Sequence, residues 1–129
     1  MKTFNGTIAP GTLLFVAVPW CQHSRHAYPV VQRLATVLGS SVDVRYVDGD
    51  TWKHKFPMVK AYPTFLYVSR DSSIRAFAGE HTLPKLMEFV CMQASDGAGP
   101  IEACNAITRS SLANAAPKDD GLTPRQLLF

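Results

Sequence analysis

Residues 12–18, Thr-Leu-Leu-Phe-Val-Ala-Val, form an apolar run that stops at Pro19-Trp20 and gives way at once to a helix-compatible segment. Such a run, with no polar alternation, fits a strand buried on both faces. The chain is therefore built around a buried strand that feeds a helix, and the residue at the junction is Cys21. A thiol placed there faces unpaired backbone N–H groups and the positive end of the helix dipole, and both favour the thiolate. Three residues further on, where a redox dithiol would carry its second cysteine, stands Ser24.

The rest of the chain extends this unit. From Cys21 to about Leu38, the positions Val30, Val31, Leu34, Val37 and Leu38 recur at helical spacing. Pro29 falls inside this helix and kinks it by removing a backbone donor, and Gly39 ends it. Val42 to Val47 alternates as a second strand, and Asp48 to Lys60 reads as irregular or a short helix, with Asp50 or Thr51 as its cap. Phe65–Val68 and Ile74–Ala78 form a hairpin across Ser69–Ser73, and Gly79 ends the second arm. Thr82 then caps a closing helix from Leu83 to about Gln93, with Pro84 in its first turn. Its apolar stripe is Leu83, Leu86, Met87, Val90 and Cys91. This order predicts an α/β domain over residues 1–94, with helices on both faces of a small mixed sheet. Residues 95–129 open on a Ser-Asp-Gly-Ala-Gly-Pro linker and read as a tail with short helices, whose apolar Leu-Leu-Phe end is expected to dock on this domain or a neighbour.

Composition narrows the function. A net charge of +3 over 129 residues is too mild to imply a nucleic-acid surface, and no apolar run approaches the ~20 residues of a membrane span. The expected partners therefore include neither nucleic acid nor membrane. Lys2 alone is a poor basic start for a signal peptide, so the sequence as given reads as cytoplasmic, and as secretory if a leader was removed. Asn5-Gly6-Thr7 matches a glycosylation sequon, a triplet common by chance. Three widely spaced cysteines, Cys21, Cys91 and Cys104, exclude a disulfide-rich scaffold and a CxxC-type zinc site, and no metal is expected. At least one thiol is left free or pairs with another molecule. Cys91, on an apolar stripe, is expected to be a buried inert thiol. For Cys104, resolving a Cys21 mixed disulfide or linking two chains into a homodimer through the tail is the less favoured role.

Taken together, Pro19-Trp20-Cys21-Gln22-His23-Ser24, Pro29 eight residues after Cys21, Tyr62-Pro63-Thr64, and Gly79 before the closing helix resemble the thioredoxin superfamily. The match is to a single domain of its protein disulfide isomerase branch, over about residues 10–94, with a monothiol CxxS in place of Pro-Trp-Cys-Gly-His-Cys. The resemblance implies a thioredoxin fold, a cis bond before Pro63 packed beside the nucleophilic sulfur, and Tyr62 offering backbone groups to an extended substrate. It also marks departures. Where the family carries a buried acid six residues before the nucleophile, this chain has Phe15, and where the branch carries a partner lysine it has Tyr46. Losing one member of a buried ion pair strands a charge at a cost of ~3–5 kcal/mol, and replacing both with aromatics avoids this. The second cysteine, the acid and the lysine are all absent, which points to abandonment of the resolving step.

The expected catalytic set is Cys21 as nucleophile, His23 favouring the thiolate, and Ser24 donating to the sulfur. The expected substrate-binding set is Trp20 as an exposed shelf, with Tyr62, Pro63 and Thr64. Arg25 and His26 are read as surface residues, Trp52 as core, and Lys53-His54-Lys55 as a solvated loop. The function expected is thiol–disulfide exchange on protein thiols and disulfides through Cys21, without a resolving cysteine. No cofactor is needed, and glutathione serves at most as an exchange partner. The competing reading is a client-retention or chaperone-like module that uses the same groove without turnover. A monothiol glutaredoxin and a purely structural domain are further alternatives, and Trp20 and Tyr62 argue against the former.

Overall fold

The computed structural model describes residues 1–95 and Cys104. Five strands, β1 (Lys2–Thr3), β2 (Thr12–Ala17), β3 (Asp43–Asp48), β4 (Thr64–Val68) and β5 (Ile74–Ala76), and two helices, α1 (Gln22–Leu38) and α2 (Leu83–Ser95), make up the domain. The sheet order is β1-β3-β2-β4-β5. β1 and β2 flank β3 in parallel, whereas β4 runs antiparallel to β2 and to β5. β2 and β3 are parallel neighbours, so the chain must cross over between them, and α1 is that crossover. This is the thioredoxin fold, a mixed five-stranded sheet with two helices.

Every residue of β2 is buried, as expected for a central strand covered on both faces. Alternation then sorts its side chains between two clusters. Leu13, Phe15 and Ala17 join Val31 and Leu34 of α1 and Leu86, Met87 and Val90 of α2 on one face. Leu14 and Val16 meet Phe4, Phe56 and Val68 on the other. Both helices therefore cover the same face, and the expected helical layer on the opposite face is supplied instead by the turns of residues 49–59 and by Phe4. The reason is local. Asp48 Oδ1 accepts from the backbone N–H groups of Asp50 and Thr51, so Asp48, not Asp50 or Thr51, organises this segment, and it does so as turns. Trp52 is half-buried there, edge-on to Phe4 at 5.0 Å between ring centroids.

The helix ends follow their residues. Gly39 takes φ 58° and donates its N–H to the Ala35 carbonyl at 3.0 Å, a conformation that favours glycine. Thr82 Oγ1 accepts from the Lys85 N–H at 3.4 Å, the expected cap of α2. β5 is shorter than expected, ending at Ala76. β1 is unmarked in the sequence: two residues are too few for a periodic pattern, and it is held by pairing with Arg45 and Tyr46.

The expectation for Cys91 is overturned. Cys91 is half-buried rather than sealed, and it is not a thiol: it forms a disulfide with Cys104, with Cα atoms 5.5 Å apart. Position 91 lies at the edge of the apolar stripe, where it packs against the core yet remains accessible to a partner arriving from outside. Cys104 is thereby attached to α2. The other expectations for residues 96–129, including the short helices, the docked C-terminus and the tail-mediated dimer, lie outside the described residues.

Candidate functional site

β2 runs through the centre of the sheet and ends at Ala17, and the turn that follows delivers Cys21 to the start of α1. The Cys21 N–H donates to the Val18 carbonyl at 3.2 Å, closing this turn, and the Arg25 N–H donates to the Cys21 carbonyl at 3.1 Å, opening the helix. Cys21 is thus the N-cap residue, with extended backbone (φ −95°, ψ 124°) and no side-chain cap bond. No acidic residue lies in the first turn of α1, so no carboxylate competes for the positive end of the dipole.

Cys21 is the free cysteine among the described residues and is partly exposed. Its thiol is held below the ordinary range, chiefly by the Ser24 backbone N–H. Partial burial opposes this, and the His23 N–H, the Ser24 hydroxyl and the Arg25 charge add to it. The neutral thiol also donates to the Tyr62 carbonyl, at 3.7 Å. That bond is lost on ionisation, but a long S–H contact is weak beside N–H donors that strengthen when the sulfur becomes an anion.

Ser24 is 3% exposed, and its Oγ accepts from the Val18 N–H at 3.2 Å. This leaves its proton free to favour the Cys21 thiolate. His23 is exposed on the same turn. Arg25 is exposed as expected, with Nη1 donating to the Pro19 carbonyl at 2.9 Å, while His26 is half-buried rather than at the surface.

The 62–64 loop faces the thiol. The Tyr62–Pro63 bond is cis, Pro63 is buried, and the Thr64 hydroxyl donates to the Ala61 carbonyl at 2.6 Å. Trp20 is 64% exposed and is nonetheless fixed: its Nε1 donates to Asp50 Oδ2 at 2.7 Å, and its ring stands edge-on to Tyr62 at 6.1 Å. The structure thus gathers Trp20, Cys21, Ser24 and Tyr62 around one sulfur. Asp50 is a member that the sequence reading passed over. Gly49 is another: the Tyr62 ring lies over it and leaves no room for a Cβ. An Asp-Gly-Asp turn directly after a strand was the available signal, but nothing in it names the aromatic partners 13 and 30 residues away.

Beneath the site, Phe15 pairs in register with Tyr46 on one side and Phe65 on the other. Ring centroids are 6.0 and 5.3 Å apart, so the core under the thiol is a row of aromatics with no buried charge. The Tyr46 hydroxyl is pushed up by burial and then by Asp48, and it donates to the Ala17 carbonyl at 3.5 Å. His81 stacks edge-on against Phe65 at 5.1 Å, and burial pushes its pKa down, with the His23 charge adding to this. No cluster of three metal-ligating side chains occurs among the described residues.

Comparison with known proteins matches this arrangement to a family model described as Thioredoxin, over residues 2–92. The chain is 27% identical over 82 residues to a protein disulfide-isomerase of Datisca glomerata, covering 60% of this chain but only 16% of that protein. Among solved structures, full-length ERdj5 superposes with a TM-score of 0.60 at 26% identity, over 67% of this chain and 13% of that one. The thioredoxin of Fasciola hepatica superposes with a TM-score of 0.57 at 25% identity, over 65% of this chain and 83% of that one. Human ERp44 in its zinc-bound form shares the fold at 19% identity, with a TM-score of 0.54, over 61% of this chain and 25% of that one.

Proposed function

Because this chain belongs to the thioredoxin family, we propose that it carries out thiol–disulfide exchange on protein substrates through Cys21 alone, without an internal resolving cysteine. The observation that carries this reading is a free, partly exposed sulfur at a helix N-terminus, 3.7 Å from the Tyr62 carbonyl, with a serine where a second thiol would sit. Cys104, the other conceivable resolver, is bonded to Cys91.

In this mechanism the Cys21 thiolate attacks one sulfur of a substrate disulfide. A mixed disulfide forms, the substrate S–S bond breaks, and the second substrate sulfur leaves as a thiolate. The N–H groups of His23 and Ser24 and the Ser24 hydroxyl stabilise the attacking anion. Tyr62, Pro63 and Thr64 hold the substrate chain in extended form beside the sulfur, and Trp20 gives it an apolar shelf. Another thiolate of the same substrate, or glutathione, then attacks the substrate sulfur of the mixed disulfide and returns the Cys21 thiolate. No net oxidation of the protein occurs, so isomerisation needs only this one thiol, whereas reduction with an internal escape route needs two. The Cys91–Cys104 disulfide favours an oxidising compartment, such as the secretory pathway, as the place of action.

The test is reactivation of a scrambled disulfide substrate in glutathione buffer, alongside insulin reduction. Reactivation that Cys21→Ser abolishes, with little insulin reduction, is expected. Strong dithiol-type reduction of insulin by the unmodified protein contradicts the reading. The exposed Trp20 beside a thiol with no resolver also suits client retention. Stable Cys21 adducts with selected proteins in non-reduced extracts favour that role, and adducts seen only after trapping favour exchange.

A further inference from the structure

A second concave feature lies behind the first turn of α1. It is a cleft of about 340 Å³, and Cys21 is not among the residues that line it. Ala17, Val18 and Pro29 make its apolar surface, Tyr28 and Tyr46 supply two rings at 6.1 Å, and Arg25 adds a guanidinium. We propose that this cleft is a binding site for a partner polypeptide, taking one aromatic side chain that has a carboxylate next to it in the partner's sequence.

Size sets the first limit. Ligand cavities run from about 300 to 1,000 Å³, so this one suits a single ring-sized group rather than a larger ligand. The two tyrosine rings stand edge to face and offer a further ring the offset or T-shaped contacts that aromatics prefer. Charge sets the second. Arg25 spends Nη1 on the Pro19 carbonyl, and no carboxylate lies within ion-pair distance of it among the described residues. Asp48 and Asp50 both act on Tyr46, so an anion is repelled at that ring and drawn to Arg25. The backbone sets the third. Pro29, which lines the cleft, has no N–H to give the Arg25 carbonyl, so the helix ladder is interrupted at the cleft. Tyr28, 41% exposed, gives a chain continuing out of the cleft an apolar surface to cover. This assignment is independent of thiol exchange. Ser24 lines the cleft and also favours the Cys21 thiolate, so an occupant would lie one side chain away from the thiol.

The test is an NMR amide titration of the full chain carrying Cys21→Ala, so that no thiol chemistry contributes. The probes are blocked tetrapeptides with a central Phe-Asp, Phe-Lys or Ala-Asp pair, and free phenylpropionate. Saturable shifts at Ala17, Ser24, Tyr28 and Tyr46 are expected with Phe-Asp, weaker binding by about threefold with Phe-Lys, and none with Ala-Asp. Arg25→Gln, its fold checked in the same spectrum, is expected to erase the Asp preference and keep the Phe requirement. Shifts centred on residues 62–64, equal binding of all three peptides, or no binding would overturn the proposal. Phenylpropionate binding as tightly as the Phe-Asp peptide would overturn it too, by making a free acid the occupant.

Discussion

Cys21 and Cys91 lie on two helices of one domain and are both partly exposed, yet the first is free and the second is oxidised. Cys21 stands where a helix begins, with backbone N–H groups at its sulfur. Cys91 stands inside α2, where the neighbouring N–H groups are committed to the helix. On the proposed mechanism, one position exchanges its sulfur partner and the other keeps one. Helix position, more than exposure, separates a reactive thiol from a structural one.

The sharpest way to break this contrast is to give Cys21 a neighbour. Ser24→Cys restores a dithiol, and insulin reduction is expected to rise at least about tenfold, because an internal thiol can now release the mixed disulfide. The substitution also weakens the bond from the Val18 N–H, at a cost of about 1 kcal/mol readable by denaturant melt. Removing the structural pair should do the opposite. The double variant Cys91→Ser with Cys104→Ser is expected to lose about 2–3 kcal/mol of stability through the freed loop, while exchange through Cys21 stays within about twofold. A loss of exchange instead would show that the two sulfurs communicate.

The smallest expected effect concerns His81, packed on the aromatic row that runs under the thiol. Its folded-state pKa lies below the unfolded value, so its contribution is present at neutral pH and is lost as pH falls below about 6.5, where the unfolded chain takes up the proton first. Thermal melts from pH 7 to 5 should show a decline in stability, and His81→Leu should flatten it.

Much of the domain was legible because it is written in local chemistry. The run at 12–18, the stop at Gly39, the Thr82 cap and the Tyr-Pro-Thr triplet each declare themselves within a few residues. The substitution of Phe15 and Tyr46 for a charged pair was visible too, and the two rings meet in register as the aromatic filling implied. What stayed hidden depends on distance. The two-residue β1 exists through its pairing with β3, and the Cys91–Cys104 bond joins residues 13 apart with no pattern between them. Asp50 and Gly49 belong to the site only because the fold brings Trp20 and Tyr62 to them. The sequence leaves residues 48–60 open between irregular structure and a short helix, a contest between turn and helix chemistry that the Asp48 side chain decides for turns.

The central claim is that the mouth of α1 favours the Cys21 thiolate. The rate of its alkylation by iodoacetamide as a function of pH tests this most directly, since the two other cysteines are bonded to each other. The account predicts a single titration with its midpoint clearly below the ~8.5 of a free cysteine. A midpoint at or above that value would contradict it.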